Sequence, residues 1–260
     1  MTFGRALVGA AVLIMTGCAA ALPPAVPPTG VEDLRLEVVA EIPHDVTAFT
    51  QGFEIADGVL YEGTGRVGES ELRELDPATG ALRRAVPLPG GVFGEGLTVV
   101  GDRIWQLTWR DGVALEWDRA SFTLRREVPM TGEGWGLCRD GDRLVRSDGT
   151  DLLRFHDPAT FAETGSVRVT LGGEPVPALN ELECVDGQVY ANVWRTDRIV
   201  RVDPADGTVT ATVDAAGLLA DDRRAGTDVL NGIAAVGGGE LLLTGKYWPA
   251  TFRVRLVPAP

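Results

Sequence analysis

Stretches that alternate apolar and polar residues recur from Leu34 to Leu256, broken by glycine, aspartate and proline. A period of two puts successive side chains on opposite faces, as half-buried β-strands do. The strongest recurrence is an eleven-residue phrase of strand, tight turn and strand. Its form is Gln51-Gly-Phe-Glu-Ile-Ala-Asp-Gly-Val-Leu-Tyr, and further copies begin at Glu95, Trp135, Asn180 and Asn231. Successive starts lie 40 to 51 residues apart. A second hairpin follows each of the first four copies. Its turns carry Asp76-Pro-Ala-Thr-Gly, Asp157-Pro-Ala-Thr and Asp203-Pro-Ala-Asp-Gly, where proline sets φ and aspartate caps the turn. Four strands per unit at this period predict an all-β, five-bladed β-propeller with four-stranded antiparallel blades.

The fifth unit has strands only over Asn231–Leu243 and Thr251–Leu256. Leu34–Ile42 alternates well and has no other partner, so it is expected to be the outer strand of that unit. Closure by both termini would remove an open sheet edge. Residues 215–227 stand outside the pattern and are expected to form a short helix and loop. The propeller domain is thus placed at 34–260.

The phrases differ most at their first residue. Gln51, Glu95, Trp135, Asn180 and Asn231 should converge on the axis from five inner strands. The return strands supply a second ring: Gly65, Trp109, Gly149, Trp194 and Lys246. Lys246 is the only lysine, beside 23 arginines. An ammonium is a compact, strongly hydrated charge that a guanidinium does not replace, so this position has a specific demand or is a chance survivor. Trp105 and Trp117 read as wall packing. Glu95 stands between two glycines in Phe93-Gly-Glu-Gly-Leu-Thr. A carboxylate walled by indoles has a raised pKa, which suits proton transfer. The alternatives for Glu95 are an ion pair with Lys246 or a ligand to a structural cation. His44 and His156 are far apart, so no convergent zinc site is expected.

Net charge is −13 and no basic cluster is present, which argues against nucleic acid as a partner. Arg5, the apolar run Ala6–Met15 and Thr16-Gly-Cys18-Ala-Ala resemble a bacterial lipoprotein signal, with Met15 where leucine is usual. This predicts a signal over residues 1–17, lipidation of Cys18 and an exported, membrane-anchored protein facing the periplasm or cell exterior. The alternative is ordinary cleavage after Ala20 or Ala21. Pro23, Pro24, Pro27 and Pro28 make residues 18–33 an extended tether. In an exported chain Cys138 and Cys184, near-equivalent in neighbouring phrases, can form a disulfide or stay as buried thiols.

The phrases also carry a family resemblance. Phe49-Thr-Gln-Gly-Phe-Glu, Tyr61-Glu-Gly-Thr-Gly, Phe93-Gly-Glu-Gly-Leu-Thr, Leu107-Thr-Trp-Arg, Glu133-Gly-Trp-Gly-Leu, Leu179-Asn-Glu-Leu-Glu, Tyr190-Ala-Asn-Val-Trp, Val229-Leu-Asn-Gly-Ile-Ala and Leu243-Thr-Gly-Lys-Tyr-Trp-Pro resemble the plant-type glutaminyl-peptide cyclotransferase family. They span about residues 35–256, with Gly63 where the family usually has serine. The resemblance implies a five-bladed propeller that converts N-terminal glutamine of peptides or proteins to pyroglutamate with release of ammonia. It implies no metal and no cofactor. It puts the catalytic glutamate on Glu95 and the substrate pocket on Gln51, Trp109, Trp135, Asn180, Trp194 and Lys246. A monomer is expected. The rival readings are a metal-dependent, lactonase-like propeller and a non-catalytic peptide-binding lipoprotein.

Overall fold

The computed structural model describes Met1 and residues 30–260. The predicted signal, Cys18 and nearly all of the tether lie outside the described residues. Strand β1 (Glu32–Pro43) comes first. Then β2 (Thr50–Ala56), β3 (Val59–Thr64), β4 (Glu71–Leu75) and β5 (Leu82–Pro87) form an antiparallel sheet in chain order. The next sheet holds β6 (Gly94–Val100), β7 (Arg103–Thr108), β8 (Val113–Asp118) and β9 (Leu124–Pro129). A third holds β10 (Leu137–Asp140), β11 (Arg143–Ser147), β12 (Leu152–His156) and β13 (Glu163–Arg168). A small hairpin, β14 (Thr170–Leu171) and β15 (Glu174–Pro175), precedes β16 (Leu179–Val185), β17 (Gln188–Val193), β18 (Arg198–Val202) and β19 (Val209–Asp214). The last run is β20 (Leu230–Gly237), β21 (Glu240–Gly245) and β22 (Ala250–Pro258).

The last run takes its fourth strand from the N-terminal side, as the alternation of Leu34–Ile42 predicts. β1 pairs antiparallel with β22, Val38 opposite Val254 and Ile42 opposite Thr251. β1 also pairs in parallel with β19, Leu34 opposite Val213. That second pairing joins two four-strand runs into one eight-stranded sheet. The segment expected to hold a helix does not form one. Over residues 215–227 a single 3-10 turn forms, Asp221–Arg223, while Leu219 is buried in the core and Gly217 turns the chain at φ 79°. Among the described residues no helix is long and apolar enough to cross a membrane.

Burial falls from the first strand of each run to the last. β2 and β6 are almost wholly buried, whereas β5, β9 and β13 are mostly exposed. The first strands touch in sequence, β2 to β6, β6 to β10, β10 to β16, β16 to β20, and β20 back to β2. Apolar side chains fill the spaces between neighbouring sheets. Trp105, Leu107, Leu137, Leu144 and Phe161 form one such cluster, and Trp117 packs in the next. Both indoles are wall, as their sequence positions suggest. The Asp-Pro turns behave as read: Asp76 Oδ1 accepts from the N–H of Ala78 and Thr79 and from Thr79 Oγ1. Cys138 on β10 and Cys184 on β16 are disulfide-bonded, joining adjacent first strands of neighbouring sheets.

Candidate active site

The pairing irregularities of the inner hairpins place the site. In four of them the register slips at the head of the phrase: between Thr50 and Gly52, Gly94 and Leu97, Leu179 and Leu182, and Leu230 and Ile233. A bulge leaves a residue out of the ladder and re-aims its side chain. The residues so released are Gln51 alone in the first, Glu95 with Gly96, Asn180 with Glu181, and Asn231 with Gly232. In the third hairpin Trp135 lies just before β10 begins. Glycine beside Glu95 is needed for close approach. A Cβ on Gly96 would lie 2.6 Å from the Trp135 carbonyl oxygen, which the Gly96 N–H meets at 2.7 Å. Gly149 of the second ring leaves room for the Trp135 indole, 2.6 Å from where its Cβ would stand.

All seven residues expected at the site, Gln51, Glu95, Trp109, Trp135, Asn180, Trp194 and Lys246, line one cavity of about 310 Å³. Glu95 is 4% exposed and Lys246 5%. Gln51 Nε2 donates to Glu95 Oε1 at 2.9 Å. Asn231 Nδ2 donates to the Thr50 carbonyl at 2.9 Å and to Gln51 Oε1 at 3.3 Å. Asn231 therefore sits behind Gln51 and fixes which end of its amide faces Glu95. The Asn180 carboxamide opens into the cavity. The Lys246 ammonium lies 4.6 Å from the Phe49 ring centroid.

The electrostatics follow from burial. Burial pushes the Glu95 carboxyl well above its usual range; the Lys246 charge opposes this and the Glu133 carboxylate adds to it. Burial also lowers Lys246, with Glu95 and Asp228 acting to restore it. Burial thus makes the charged form costly for both groups, while each charge partly offsets the cost of the other.

Further residues complete the cavity. Phe49, Phe93 and Val229 line it, each two places before the head of its phrase. The same offset in the third phrase gives Glu133. Its Oε2 accepts from Trp109 Nε1 at 2.8 Å and from Trp135 Nε1 at 3.0 Å. Arg66 and Arg195 line the mouth, each one place after a second-ring residue, and Asp228 completes it. The repeat that yields two rings would have yielded these positions as well, counted outward by the same offsets. Trp135 and Trp194 meet edge to face with centroids 5.3 Å apart, and Phe93 tilts against Trp109 at 5.5 Å.

Lys246 is set by its turn. Its N–H donates to the Val229 carbonyl, its own carbonyl accepts from Asp228 N, and Tyr247 N donates to the Ala48 carbonyl. His44 Nδ1 meets the Trp248 carbonyl at 2.8 Å and Nε2 meets Glu62 Oε1 at 3.0 Å. Among the described residues no group of three or more histidine, cysteine, aspartate or glutamate side chains is disposed to hold a metal ion.

Comparison with known proteins identifies the family. The glutamine cyclotransferase family model matches residues 9–256. Over 232 residues the chain is 40% identical to the glutaminyl-peptide cyclotransferase of Arabidopsis thaliana, spanning 86% of this chain and 72% of the plant protein. The crystal structure of Myxococcus xanthus glutaminyl cyclase superposes with a TM-score of 0.82 at 39% identity, covering 88% of this chain and 100% of that one. The chain therefore belongs to the glutamine cyclotransferase family.

Proposed function

We propose that this glutaminyl-peptide cyclotransferase closes the N-terminal glutamine of its substrates to pyroglutamate by proton transfer through Glu95. The observation that carries the reading is the buried Glu95 carboxyl, held by Gln51 inside an aromatic cavity beside the only lysine. The neutral α-amine attacks the carbon of its own γ-carboxamide, a C–N bond forms and the carbonyl π electrons move to oxygen. Glu95, as carboxylate, takes the proton from the attacking nitrogen. It returns that proton to the amide nitrogen, the C–N bond to that nitrogen breaks and ammonia leaves. A group that both accepts and donates in one cycle works best with a pKa near the operating pH, and burial moves the Glu95 carboxyl upward from its ordinary value.

Trp109, Trp135 and Trp194 form a slot that keeps the glutamine side chain folded back on its amine. Holding an intramolecular reaction in its reactive geometry removes much of the entropic barrier. Lys246 and Asn180 are placed to donate to the developing oxyanion, with Gln51 orienting Glu95. The closed cycle of contacts among β2, β6, β10, β16 and β20 supports a five-bladed propeller with the site at one end of its axis. We further propose that the chain is exported and lipid-anchored through Cys18, on the strength of its N-terminal sequence, with the described domain acting as a monomer.

Ammonia release from a glutamine-initiated dipeptide, with and without a chelator, tests the reading. Turnover that survives the chelator is expected. Turnover lost to the chelator and restored by a divalent cation would contradict it, and peptide binding without ammonia would point to a non-catalytic module.

A further inference from the structure

The charges around the cavity mouth do not follow the charge of the chain. The protein carries −13 overall, yet the charged residues lining the cavity are Arg66, Arg195 and Lys246 against Glu95 and Asp228. Arg66 and Arg195 are exposed. Both hold a backbone with positive φ, 108° and 64°. The Arg66 guanidinium stacks 4.2 Å from the Phe49 ring centroid, and Arg66 Nε donates to Tyr247 Oη at 2.8 Å. The Arg195 guanidinium stacks 4.2 Å from the Trp194 ring centroid. Arg110 makes the same stack on Trp109 at 4.0 Å, but Glu133 already neutralises it. Among the described residues no carboxylate forms an ion pair with Arg66 or Arg195.

An arginine stacked on an aromatic face keeps its charge and loses little further freedom when it meets an anion. Arg66 and Arg195 are therefore pre-ordered donors. They follow β3 and β17, in the two strand runs that flank the hairpin of Lys246, because β2 and β16 both touch β20. In a cyclotransferase the glutamine fills the indole slot, so the rest of the peptide must leave past this rim. The cavity also shares Arg195, Asp228 and Val229 with a neighbouring surface groove. In that groove Arg224 is paired with Asp197, which leaves Arg195 as its unpaired cation.

We propose that Arg66 and Arg195 form an anion-binding subsite that favours substrates with a carboxylate one or two residues after the N-terminal glutamine. The inference rests on the cyclotransferase reading. The carboxylate comes from an aspartate or glutamate side chain, or from the free C-terminus of a very short peptide.

The test compares kcat/KM for ammonia release from Gln-Glu-Ala, Gln-Gln-Ala and Gln-Lys-Ala, all C-terminally amidated, and from Gln-Ala with a free or amidated C-terminus. At about 20 mM salt the glutamate peptide should exceed its glutamine isostere by roughly two- to tenfold, the range of one or two exposed ion pairs, with the lysine peptide lowest. The preference should shrink toward unity at about 0.5 M salt, where exposed charges are screened, and in an Arg66→Gln/Arg195→Gln variant. A preference for free over amidated Gln-Ala alone supports the same subsite with short peptides as its ligands. Equal kcat/KM across the charge series and the Gln-Ala pair overturns the subsite and leaves the cyclotransferase reading intact, as does a preference unmoved by salt and by the double variant. No ammonia from any peptide overturns the reading beneath it.

Discussion

Glu133 shows how one side chain sets the shape of a pocket it barely enters. Its Oε2 takes the indole hydrogens of both Trp109 and Trp135, so one oxygen fixes two walls of the slot. Its Oε1 takes Arg110 Nε at 2.7 Å, which keeps the carboxylate from turning away. Hydrogen bonds to a charged group are stronger than neutral ones, and small misplacements in a reactive pose are costly. Glu133→Ala should therefore lower kcat/KM by roughly tenfold or more. Glu133→Gln keeps a carbonyl oxygen for both indoles and should recover most of the loss in steady-state ammonia assays. That variant also removes a negative neighbour of Glu95. Its carboxyl should then titrate lower, and the acid limb of the kcat profile should move to lower pH. A Glu133→Gln enzyme as impaired as Glu133→Ala would mean that the charge, not the clamp, is what matters.

At the scale of elements, the hairpins do two jobs at once: their ladders build the sheets, and their bulged heads present the chemistry. The alternation makes the strands readable, and the phrase heads together with the second ring make the seven cavity residues readable. The bulges are not readable, because one unpaired residue leaves no mark in composition. The parallel pairing of β1 with β19 is hidden for a related reason: alternation marks a strand but not its second neighbour. The state of Cys138 and Cys184 was open in the sequence because equivalent positions do not fix where two sulfurs point. The turn of Lys246 adds a further device that spacing cannot reveal. Both nitrogens of buried His44 face acceptors, the Trp248 carbonyl and Glu62 Oε1. Burial alone would lower its pKa, but Glu62 and the carbonyl hold it raised. Burial opposes ionisation of Glu62, which His44, Arg73 and Thr50 nevertheless hold below its ordinary value. The stability from His44 is present below about pH 6.5 and is lost as pH rises through its raised pKa. That from Glu62 is present above about pH 4.5 and is lost as pH falls through its lowered pKa. His44→Leu leaves a buried carboxylate short of a partner and should cost about 3 kcal/mol near pH 6, less at pH 9. Urea denaturation at the two pH values checks this; equal losses would show that His44 acts by packing alone.

For the whole molecule, the first strands enclose a second set of carboxylates. Glu54 accepts from Val99 N, Glu181 from Phe53 N and Ile233 N, and Glu183 from Ala235 N, so each ties neighbouring strand runs together. Burial pushes Glu54 up to about 7, and burial with mutual repulsion raises Glu181 and Glu183 well above the usual range. A carboxyl raised on folding stabilises below its unfolded pKa, and that contribution is lost as pH rises through the folded value. Thermal stability should therefore fall as pH rises from about 4.5 through about 7 and beyond. Glu183→Gln, which keeps an oxygen for the Ala235 N–H, should flatten that fall in melting curves. A slope unchanged by the substitution would assign it to the net charge of −13 instead. The fold thus places protonatable groups along its centre, and of the four carboxylates Glu54, Glu95, Glu181 and Glu183 it is Glu95 that lines the indole-walled cavity with Lys246. The central claim is that this one carboxyl moves the proton. Its most direct test is ammonia release from a single glutamine-initiated peptide by the wild-type and Glu95→Gln proteins, matched for melting temperature. A loss on the order of 10²–10⁴ in kcat with an unchanged fold is predicted; a Glu95→Gln enzyme within a few-fold of wild type would contradict it.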